Sequence, residues 1–377
     1  MKLYIIAGEA SGDLHASNLM KALKSEAPDT QFRFWGGDLM LKQDKNLVKH
    51  YRDLAFMGFT EVLMNLRAIK TNLSFCKRDL LSYQPDALIL VDYPGFNLRI
   101  AEFAKSKGIK VFYYISPKVW AWNQKRALKI KACVNEMFTI FPFETEFYQK
   151  YNYKVHYVGH PLLDAINNTS FSDSEKENFI TLNKLSDKPI IALLPGSRKQ
   201  EVNRILKAML SVQESFTDYQ FVIGGAPSLS KEFYQPFLSE NTNIIFDQTY
   251  GLLKIAEAAL VTSGTATLET AIFNVPQVVF YKAGRITYQI AKRLINVKFI
   301  SLVNLILDKK AVTELIQDDL NTEQITEELN NILGKNRAQQ LIDYKELREL
   351  LGGHGASEKT ASLMLKTLNE PSRSHSS

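Results

Sequence analysis

A strand, a glycine-containing turn and a helix open this chain, and the same pattern begins again near its middle. Residues 3–15 read LYIIAGEASGDLH, and residues 190–201 read IIALLPGSRKQE. Each apolar run has the length of a buried strand, and a helical pattern follows each turn. Because α/β folds are built by repeating this unit, the duplication predicts two α/β domains.

Further apolar runs alternate with helical patterns, as in parallel sheets. The predicted strands are Leu3–Ala7, Ala87–Val91, Lys110–Ile115, Met137–Phe141, Ile190–Leu194, Gln220–Ile223, Leu260–Thr262 and Val278–Tyr281. A polar run, Asn167–Lys188, marks the approximate boundary between the halves. The predicted organisation is an N-terminal Rossmann-like domain over 1–170, a C-terminal one over 171–340, helices over 341–369 and a disordered tail over 370–377.

The first glycine turn carries carboxylates where a phosphate-binding loop would not. Gly8 and Gly12 permit tight turning and close approach of a ligand, whereas Glu9 and Asp13 would repel a phosphate. We therefore expect this loop to meet a neutral, hydroxyl-rich group or a developing positive charge. Ligands of open α/β sheets bind beyond the carboxyl ends of the strands, so two facing domains would enclose a cleft.

A second glycine turn, within Ser263–Glu269, follows another predicted strand, and no acid crowds it. The backbone N–H groups of Gly264, Thr265 and Ala266 suit a phosphate, and Glu269 lies one helical turn later, where a carboxylate can accept hydrogen bonds from ribose hydroxyls. The alternative is an ordinary capped helix N-terminus with no ligand.

The mid-chain turn adds Ser197 and the guanidinium of Arg198, which suits a diphosphate through bidentate contacts. Together the two turns predict a nucleotide-diphosphate site in the second half. A nicotinamide enzyme is disfavoured, because neither glycine turn has the G-x-G-x-x-G spacing. A Walker A lysine is also missing from both turns.

Composition and charge indicate the size of the cores, the redox compartment and the class of partner. The chain has 377 residues, 45% of them hydrophobic, which is enough for two packed cores. Its two cysteines, Cys76 and Cys133, have no metal-ligand spacing, which favours a reducing compartment. A net charge of +6 favours anionic partners without choosing among nucleic acid, anionic lipid and a phosphorylated substrate.

Six further motifs occur in order, and with the glycine turns they resemble those of the lipid-A-disaccharide synthases, a glycosyltransferase family. They are VDYPGFN (91–97), ISPKVWAW (115–122), FPFE (141–144), VGHP (158–161), LPGSR (194–198) and SLVNL (301–305). The resemblance spans nearly the whole chain and implies two facing Rossmann-like domains of the GT-B type.

The resemblance also implies an activity, namely the inverting transfer of a sugar from UDP-2,3-diacylglucosamine to 2,3-diacylglucosamine 1-phosphate (lipid X). The products would be the β-1,6 lipid A disaccharide 1-phosphate and UDP, a step of lipopolysaccharide biosynthesis that needs no metal or other cofactor. The chain departs from the family pattern at Gly95, where an acid is common, and at Val303, where a proline is common. The first departure weakens a paired-carboxylate mechanism and favours Asp92 as the base.

The site residues follow from these motifs. Asp92 is the candidate catalytic base, and Glu9 is placed to orient the acceptor or stabilise positive charge. The alternative without a catalytic role is a strand-end cap for Asp92 and, for Glu9, a charge at a helix N-terminus that the helix dipole favours. The UDP site comprises Arg198, Ser197, Gly264, Thr265, Ala266, Glu269 and Asn304. The acceptor site comprises Ser11, Asn97, Asn123, Arg126 and His160.

Two segments have the composition of interfacial surfaces, although core packing is the alternative for both. They are the apolar run between Phe56 and Ile69 and the mixed apolar and basic run Gly284–Lys298. We expect a cytoplasmic protein that associates peripherally with the inner membrane and does not bind nucleic acid. A homodimer is left open, and the C-terminal helices can return to the first domain or pack on a partner subunit.

Two other functions remain as alternatives. An enzyme like UDP-N-acetylglucosamine 2-epimerase would share the fold and the nucleotide-sugar site but act on a soluble substrate. A non-catalytic, two-lobed binding protein would share only the hinged architecture. The apolar segment and the ordered motifs favour the lipid enzyme over the epimerase, and the carboxylates of the first loop argue against the binding protein.

Overall fold

The computed structural model describes residues 1–54, 66–167, 172–239, 242–284, 288 and 298–370. The chain divides into two compact units. Unit 1 comprises Met1–Ala165 and the C-terminal segment from Leu351, and unit 2 comprises Ile166–Leu350. Among the helices within the described ranges, none combines the length and apolar character needed to cross a bilayer.

Unit 1 contains a seven-stranded parallel sheet with the strand order β3-β2-β1-β4-β5-β6-β7. Its strands are β1 (Lys2–Ala7), β2 (Gln31–Gly36), β3 (Leu47–His50), β4 (Ala87–Val91), β5 (Lys110–Tyr114), β6 (Glu136–Thr139) and β7 (His156–Tyr157). All five residues of β4 are buried, as expected of a central parallel strand that is covered on both faces. The order of the strands reverses between β1 and β4.

Helices follow most of these strands. They are α1 (Ala10–Glu26), α2 (Asp38–Leu41), α3 (Leu66–Tyr83), α4 (Pro94–Ser106), α5 (Val119–Trp122), α6 (Arg126–Cys133), α7 (Phe143–Gln149) and α8 (Leu162–Asn167). A short 3₁₀ helix spans Tyr51–Leu54. Helix α4 begins with Pro94, whose fixed φ suits the first helical position.

Unit 2 repeats this plan with a six-stranded parallel sheet of order β10-β9-β8-β11-β12-β13. Its strands are β8 (Ile190–Leu194), β9 (Gln220–Gly225), β10 (Thr242–Phe246), β11 (Ala256–Thr262), β12 (Gln277–Tyr281) and β13 (Thr313–Ile316). Here the order reverses between β8 and β11. The mid-chain restart in the sequence is therefore the first strand of a second Rossmann-like sheet.

Two apolar clusters cover the faces of this second sheet, one around Ile191 and Leu193 and the other around Ala192 and Leu194. The helices of the unit are α9 (Asp173–Leu182), α10 (Lys199–Leu210), α11 (Lys231–Tyr234), α12 (Thr249–Ile255), α13 (Thr265–Ile272), α14 (Leu302–Leu307), α15 (Thr322–Leu333) and α16 (Arg337–Leu350). Short 3₁₀ helices span Gln213–Ser215, Gln235–Phe237 and Gln317–Asp319.

The last helix, α17 (Ala356–Asn369), returns to unit 1 and packs on α1. Asp164 caps its N-terminus, since Oδ1 accepts from the Gly355 N–H at 2.7 Å and Oδ2 from the Ser357 N–H at 3.2 Å. The His160 N–H donates to the Leu351 carbonyl at 3.1 Å. Of the two destinations left open for the C-terminal helices, the structure therefore selects the first domain for α17, whereas α16 stays with unit 2.

All eight predicted strands are present, with ends that shift by up to four residues. Five strands were not predicted, namely β2, β3, β7, β10 and β13. Four of them are edge strands and β2 lies next to an edge, where polar residues are tolerated and interrupt the apolar run that identifies a buried strand. Most of the two predicted interfacial segments, between 56 and 69 and between 284 and 298, lies outside the described residues.

Candidate active site

Two carboxylates follow the adjacent central strands of unit 1. Strands β1 and β4 pair in register up to Ala7 and Val91, so the turns that carry Glu9 and Asp92 leave the sheet side by side. This is the point where the strand order reverses, the usual ligand position in such sheets. The structure thus brings together the two predicted catalytic carboxylates.

Asp92 has a higher pKa than an ordinary aspartate. Burial raises its pKa to about 6, and the negative charge of Glu9 adds to the increase. The ammonium of Lys118 opposes it, as does a hydrogen bond from the Tyr93 backbone N–H. A carboxylate with a pKa near 6 is ionised at neutral pH yet basic enough to accept a proton, which is the requirement for a general base.

Lys118 was not among the predicted site residues. Strand β5 pairs with β4 so that Tyr114 lies opposite Val91, and the loop after β5 carries this exposed lysine towards Asp92. Its position at the carboxyl end of the neighbouring strand was the available signal in the sequence. The motif ISPKVWAW contains Lys118, but motif matching alone assigns it no charge partner.

The backbone at Asp92 is held in a left-handed conformation. Asp92 and Tyr93 have φ of 44° and 48°, a region that non-glycine residues seldom occupy. The Asp92 carbonyl accepts from Asn97 Nδ2 at 2.7 Å and from the Tyr113 hydroxyl at 2.6 Å. Fully buried Asn97 also donates to the Val91 carbonyl at 3.2 Å. The amide nitrogen of Asn97 therefore holds the turn that presents Asp92, and the contact of Asn97 with the acceptor stays a prediction.

Gly8 lies beneath the aromatic ring of Tyr93. A Cβ at this position would collide with the ring, so only glycine allows the two turns to approach. The ring of Tyr93 also stacks on Phe96, with centroids 5.7 Å apart. The glycine thus serves the packing of the two strand ends as well as the turn.

Asp13, the second acid of the opening turn, has a structural role. Its buried carboxylate accepts from the backbone N–H groups of Gly37 at 2.6 Å, Leu39 at 3.0 Å and Met40 at 3.2 Å. These are the N-terminal donors of α2, which otherwise lack partners. Of the two carboxylates in the loop that was expected to meet a ligand, Asp13 is therefore occupied by capping a neighbouring helix.

The remaining predicted acceptor residues are dispersed. Ser11 is exposed in the first turn of α1, and Asn123 and Arg126 are partly exposed at the start of α6. His160 differs, since its ring is buried against Phe141, with centroids 5.4 Å apart, and Nδ1 accepts from a backbone N–H at 3.2 Å. Burial lowers the pKa of His160 to about 3. In this structure His160 therefore packs within unit 1, and its contact with the acceptor stays a prediction.

A cavity of about 290 Å³ lies at the carboxyl ends of the central strands of unit 2. Its walls include the ends of β8, β9 and β11, and the strand order reverses between β8 and β11. The predicted nucleotide residues that line it are Ser197, Gly264, Thr265, Ala266 and Glu269. A Cβ at Gly264 would meet no atom within 4 Å, so a ligand can approach the backbone there.

The lining residues that were not predicted include Thr262 and Glu201. The hydroxyl of Thr262 is buried and has no hydrogen-bond partner among the described residues. The carboxylate of Glu201 lies over Gly196, whose φ of 98° and lack of Cβ both require glycine. Glu201 accepts from the backbone N–H groups of Ser197 and Arg198, and burial raises its pKa. The side chain of Arg198 is exposed at the start of α10.

Asn304 belongs to the interior of unit 2. It is fully buried, and its Oδ1 accepts from the N–H groups of Ala311 at 2.8 Å and Val312 at 2.9 Å. Its Nδ2 donates to the Val312 carbonyl and to Glu314, each at 2.9 Å. All four hydrogen-bonding positions of the amide are thus used within the chain, and the contact of Asn304 with UDP stays a prediction.

Solved structures with low sequence identity share this architecture. The S. aureus MnaA–UDP co-structure aligns with a TM-score of 0.68 at 14% identity, covering 98% of this chain and 97% of that one. A putative UDP-N-acetylglucosamine 2-epimerase from Listeria monocytogenes gives 0.67 at 12% identity, with coverages of 99% and 98%. The glycotransferase of kitacinnamycin gives 0.66 at 10% identity, with coverages of 97% and 99%. The predicted GT-B-type fold is confirmed.

Comparison of sequences identifies the family, whereas the solved structures show only the fold. A family model described as lipid-A-disaccharide synthetase matches residues 3–367. The lipid-A-disaccharide synthase of Syntrophus aciditrophicus is 39% identical over 376 residues, which cover 97% of each chain. That of Coxiella burnetii is 38% identical over 366 residues, which cover 96% of each. Identity of this extent over nearly the whole length shows descent from a common ancestor, and the chain belongs to the lipid-A-disaccharide synthase family.

Proposed function

We propose that this protein joins two acylated glucosamines, transferring the sugar of UDP-2,3-diacylglucosamine to the 6-hydroxyl of 2,3-diacylglucosamine 1-phosphate. The observation that carries the proposal is the partly buried Asp92 carboxylate, with a pKa near 6, beside Glu9 at the strand reversal of unit 1. Membership of the synthase family supports the choice of substrates. The cavity of about 290 Å³ in unit 2, which five of the predicted nucleotide residues line, supports a UDP donor.

In the proposed reaction Asp92 removes the proton from the acceptor hydroxyl as its oxygen attacks the anomeric carbon of the donor. The bond from that carbon to the diphosphate oxygen breaks, and UDP leaves with the bonding electrons. Attack from the side opposite to the leaving group inverts the configuration and forms the β-linkage. Glu9 faces the positive charge that develops on the donor sugar, and a nearby carboxylate lowers the free energy of that transition state.

Unit 2 is proposed to hold the donor and stabilise the leaving group. The guanidinium of Arg198 offsets the negative charge of the diphosphate. The N–H groups from Gly264 to Ala266 and the hydroxyl of Ser197 donate hydrogen bonds to its oxygens. Glu269 accepts hydrogen bonds from the ribose. Since the backbone donors of Ser197 are occupied by Glu201, that carboxylate must move if the diphosphate is to use them.

The acceptor is proposed to bind to unit 1, with its 1-phosphate near Arg126 and Asn123 and a sugar hydroxyl at Ser11. Both substrates carry acyl chains, which we propose places the enzyme at the cytoplasmic face of the inner membrane as a peripheral protein. The net charge of +6 supports attraction to anionic lipid.

An assay with both substrates tests the proposal. Purified protein incubated with UDP-2,3-diacylglucosamine and 2,3-diacylglucosamine 1-phosphate should yield equimolar disaccharide 1-phosphate and UDP. A parallel incubation with UDP-N-acetylglucosamine tests for epimerisation at C2, the reaction named for several structural neighbours. Epimerised product with no disaccharide would replace the proposal with the epimerase alternative, and ligand binding without either product would favour a binding protein.

A further inference from the structure

Glu269 has a side-chain partner outside the glycine turn. Its Oε1 accepts a hydrogen bond of 3.0 Å from the hydroxyl of Tyr250, which lies in the first turn of α12. Glu269 lines the cavity, and so does Thr249, the residue before Tyr250. A carboxylate has two oxygens, so one can be held by the phenol while the other accepts from a ligand.

The ring of Tyr250 is fixed by the same helix that carries Glu269. Its centroid lies 5.3 Å from that of Phe273, which ends α13 and whose N–H bonds to the Glu269 carbonyl at 3.0 Å. Buried Leu252 and Leu253 anchor α12 in the core. The donor and the acceptor of the hydrogen bond are thus both held by packing before any ligand arrives, which reduces the entropy lost on binding.

The bond also affects charge. Burial raises the pKa of Glu269, and the hydrogen bond from Tyr250 opposes this effect by favouring the ionised form. Burial and the nearby Glu269 charge raise the pKa of Tyr250 well above its usual value, so the phenol keeps its proton and remains a donor. An ionised carboxylate is the stronger acceptor for a hydroxyl group.

We propose that Tyr250 is a positioning residue that orients the Glu269 carboxylate towards the ribose hydroxyls of the nucleotide and so contributes to selection of a ribonucleotide donor. This inference rests on the proposed function, because it takes UDP as the ligand of the cavity. Sequence motifs did not indicate Tyr250, which lies 19 residues before Glu269 and outside the glycine turns.

Calorimetric titration of the full chain with UDP and with 2′,3′-dideoxy-UDP tests the inference. Wild type should bind UDP about 10-fold more tightly than the dideoxy nucleotide, because hydrogen bonds to a charged group are lost. Tyr250→Phe should weaken UDP binding about 5-fold and leave dideoxy binding within about twofold. Tyr219→Phe, a matched loss of a phenol hydroxyl away from the cavity, should change neither affinity.

A double variant separates positioning from a general structural role. In a Glu269→Gln background, Tyr250→Phe should have little further effect on the ratio of the two affinities, because the tyrosine acts through the carboxylate. Equal loss of affinity for both nucleotides in Tyr250→Phe, or no change in either, would overturn the positioning role. If Tyr250→Phe fails to fold, Glu269→Gln alone provides the test. The positioning role is overturned if Glu269→Gln leaves the ratio of the UDP and dideoxy-UDP affinities at the wild-type value.

The same titrations distinguish failure of the inference from failure of the proposed function. If wild type does not bind UDP, both are overturned. If wild type binds UDP and prefers it over the dideoxy nucleotide, the UDP site stands, and the response of Tyr250→Phe decides the inference alone. If wild type binds both nucleotides equally, Glu269 does not contact the ribose and the role of Tyr250 is excluded.

Discussion

The carboxylates of Glu9 and Asp92 follow adjacent parallel strands, and burial together with the charge of Glu9 raises the pKa of Asp92 to about 6. Lys118 acts in the opposite direction from the next strand. Besides burial, two charged groups from the strand ends on either side of Asp92 thus act on the ionisation of the proposed base. Each can be changed separately, which makes the electrostatics of the site testable.

The first prediction concerns the pH dependence of kcat/KM. A general base is active when deprotonated, so the rate should rise with pH through the pKa of Asp92, near 6. Glu9→Gln removes a negative charge and should move this rise to lower pH, whereas Lys118→Met should move it to higher pH. Glu26→Gln, at the exposed end of α1, is the control. Shifts in the same direction for both variants would contradict the charge assignment.

The second prediction is that Asp92→Asn lowers turnover about 10²-fold or more, because the amide cannot accept the proton. Asparagine tolerates the left-handed backbone at this position, and the contacts of the Asp92 carbonyl are unchanged by the substitution. UDP binding and the thermal midpoint should therefore stay close to wild type. A near-normal rate in the folded variant would exclude Asp92 as the base.

The third prediction concerns stability at acid pH. Burial lowers the pKa of His160 from about 6.5 to about 3, so below pH 6.5 the unfolded chain binds a proton that the folded chain does not. The free energy of unfolding should fall as the pH decreases from about 6.5 towards 3, by up to about 1.4 kcal/mol per pH unit from this residue. His160→Gln should reduce that slope, measured by denaturant unfolding at several pH values. An unchanged slope would contradict the assignment.

The fourth prediction tests the structural part of Asn304. Asn304→Asp would place a carboxylate beside Glu314 and remove the two bonds that Nδ2 donates, so we expect a loss of about 2–4 kcal/mol in stability. Asn330→Asp, at an exposed position of α15, should change stability by less than about 1 kcal/mol. Thermal and denaturant unfolding measure both. A fully stable Asn304→Asp variant with impaired UDP binding would contradict the structural role and support contact of Asn304 with UDP.

The two strand–turn–helix openings were sufficient to predict two Rossmann-like domains. The apolar runs that precede Glu9, Asp92 and Gly264 were sufficient to place these residues at strand ends. This works because parallel strands end at a common edge, so residues that directly follow buried strands gather there whatever the rest of the chain does. The family resemblance then supplied the substrates.

The tertiary structure decided which partners the polar residues near those ends have within the chain. Asp13 and Asn304 lie in the predicted motifs, yet one caps a helix that begins 25 residues later in the chain and the other bonds to the β13 residue Glu314. Lys118 and Tyr250 acquire their partners in the same way, from other elements. A sequence pattern specifies where a strand ends, but the partner of a side chain depends on which distant backbone or carboxylate packing brings within hydrogen-bonding distance.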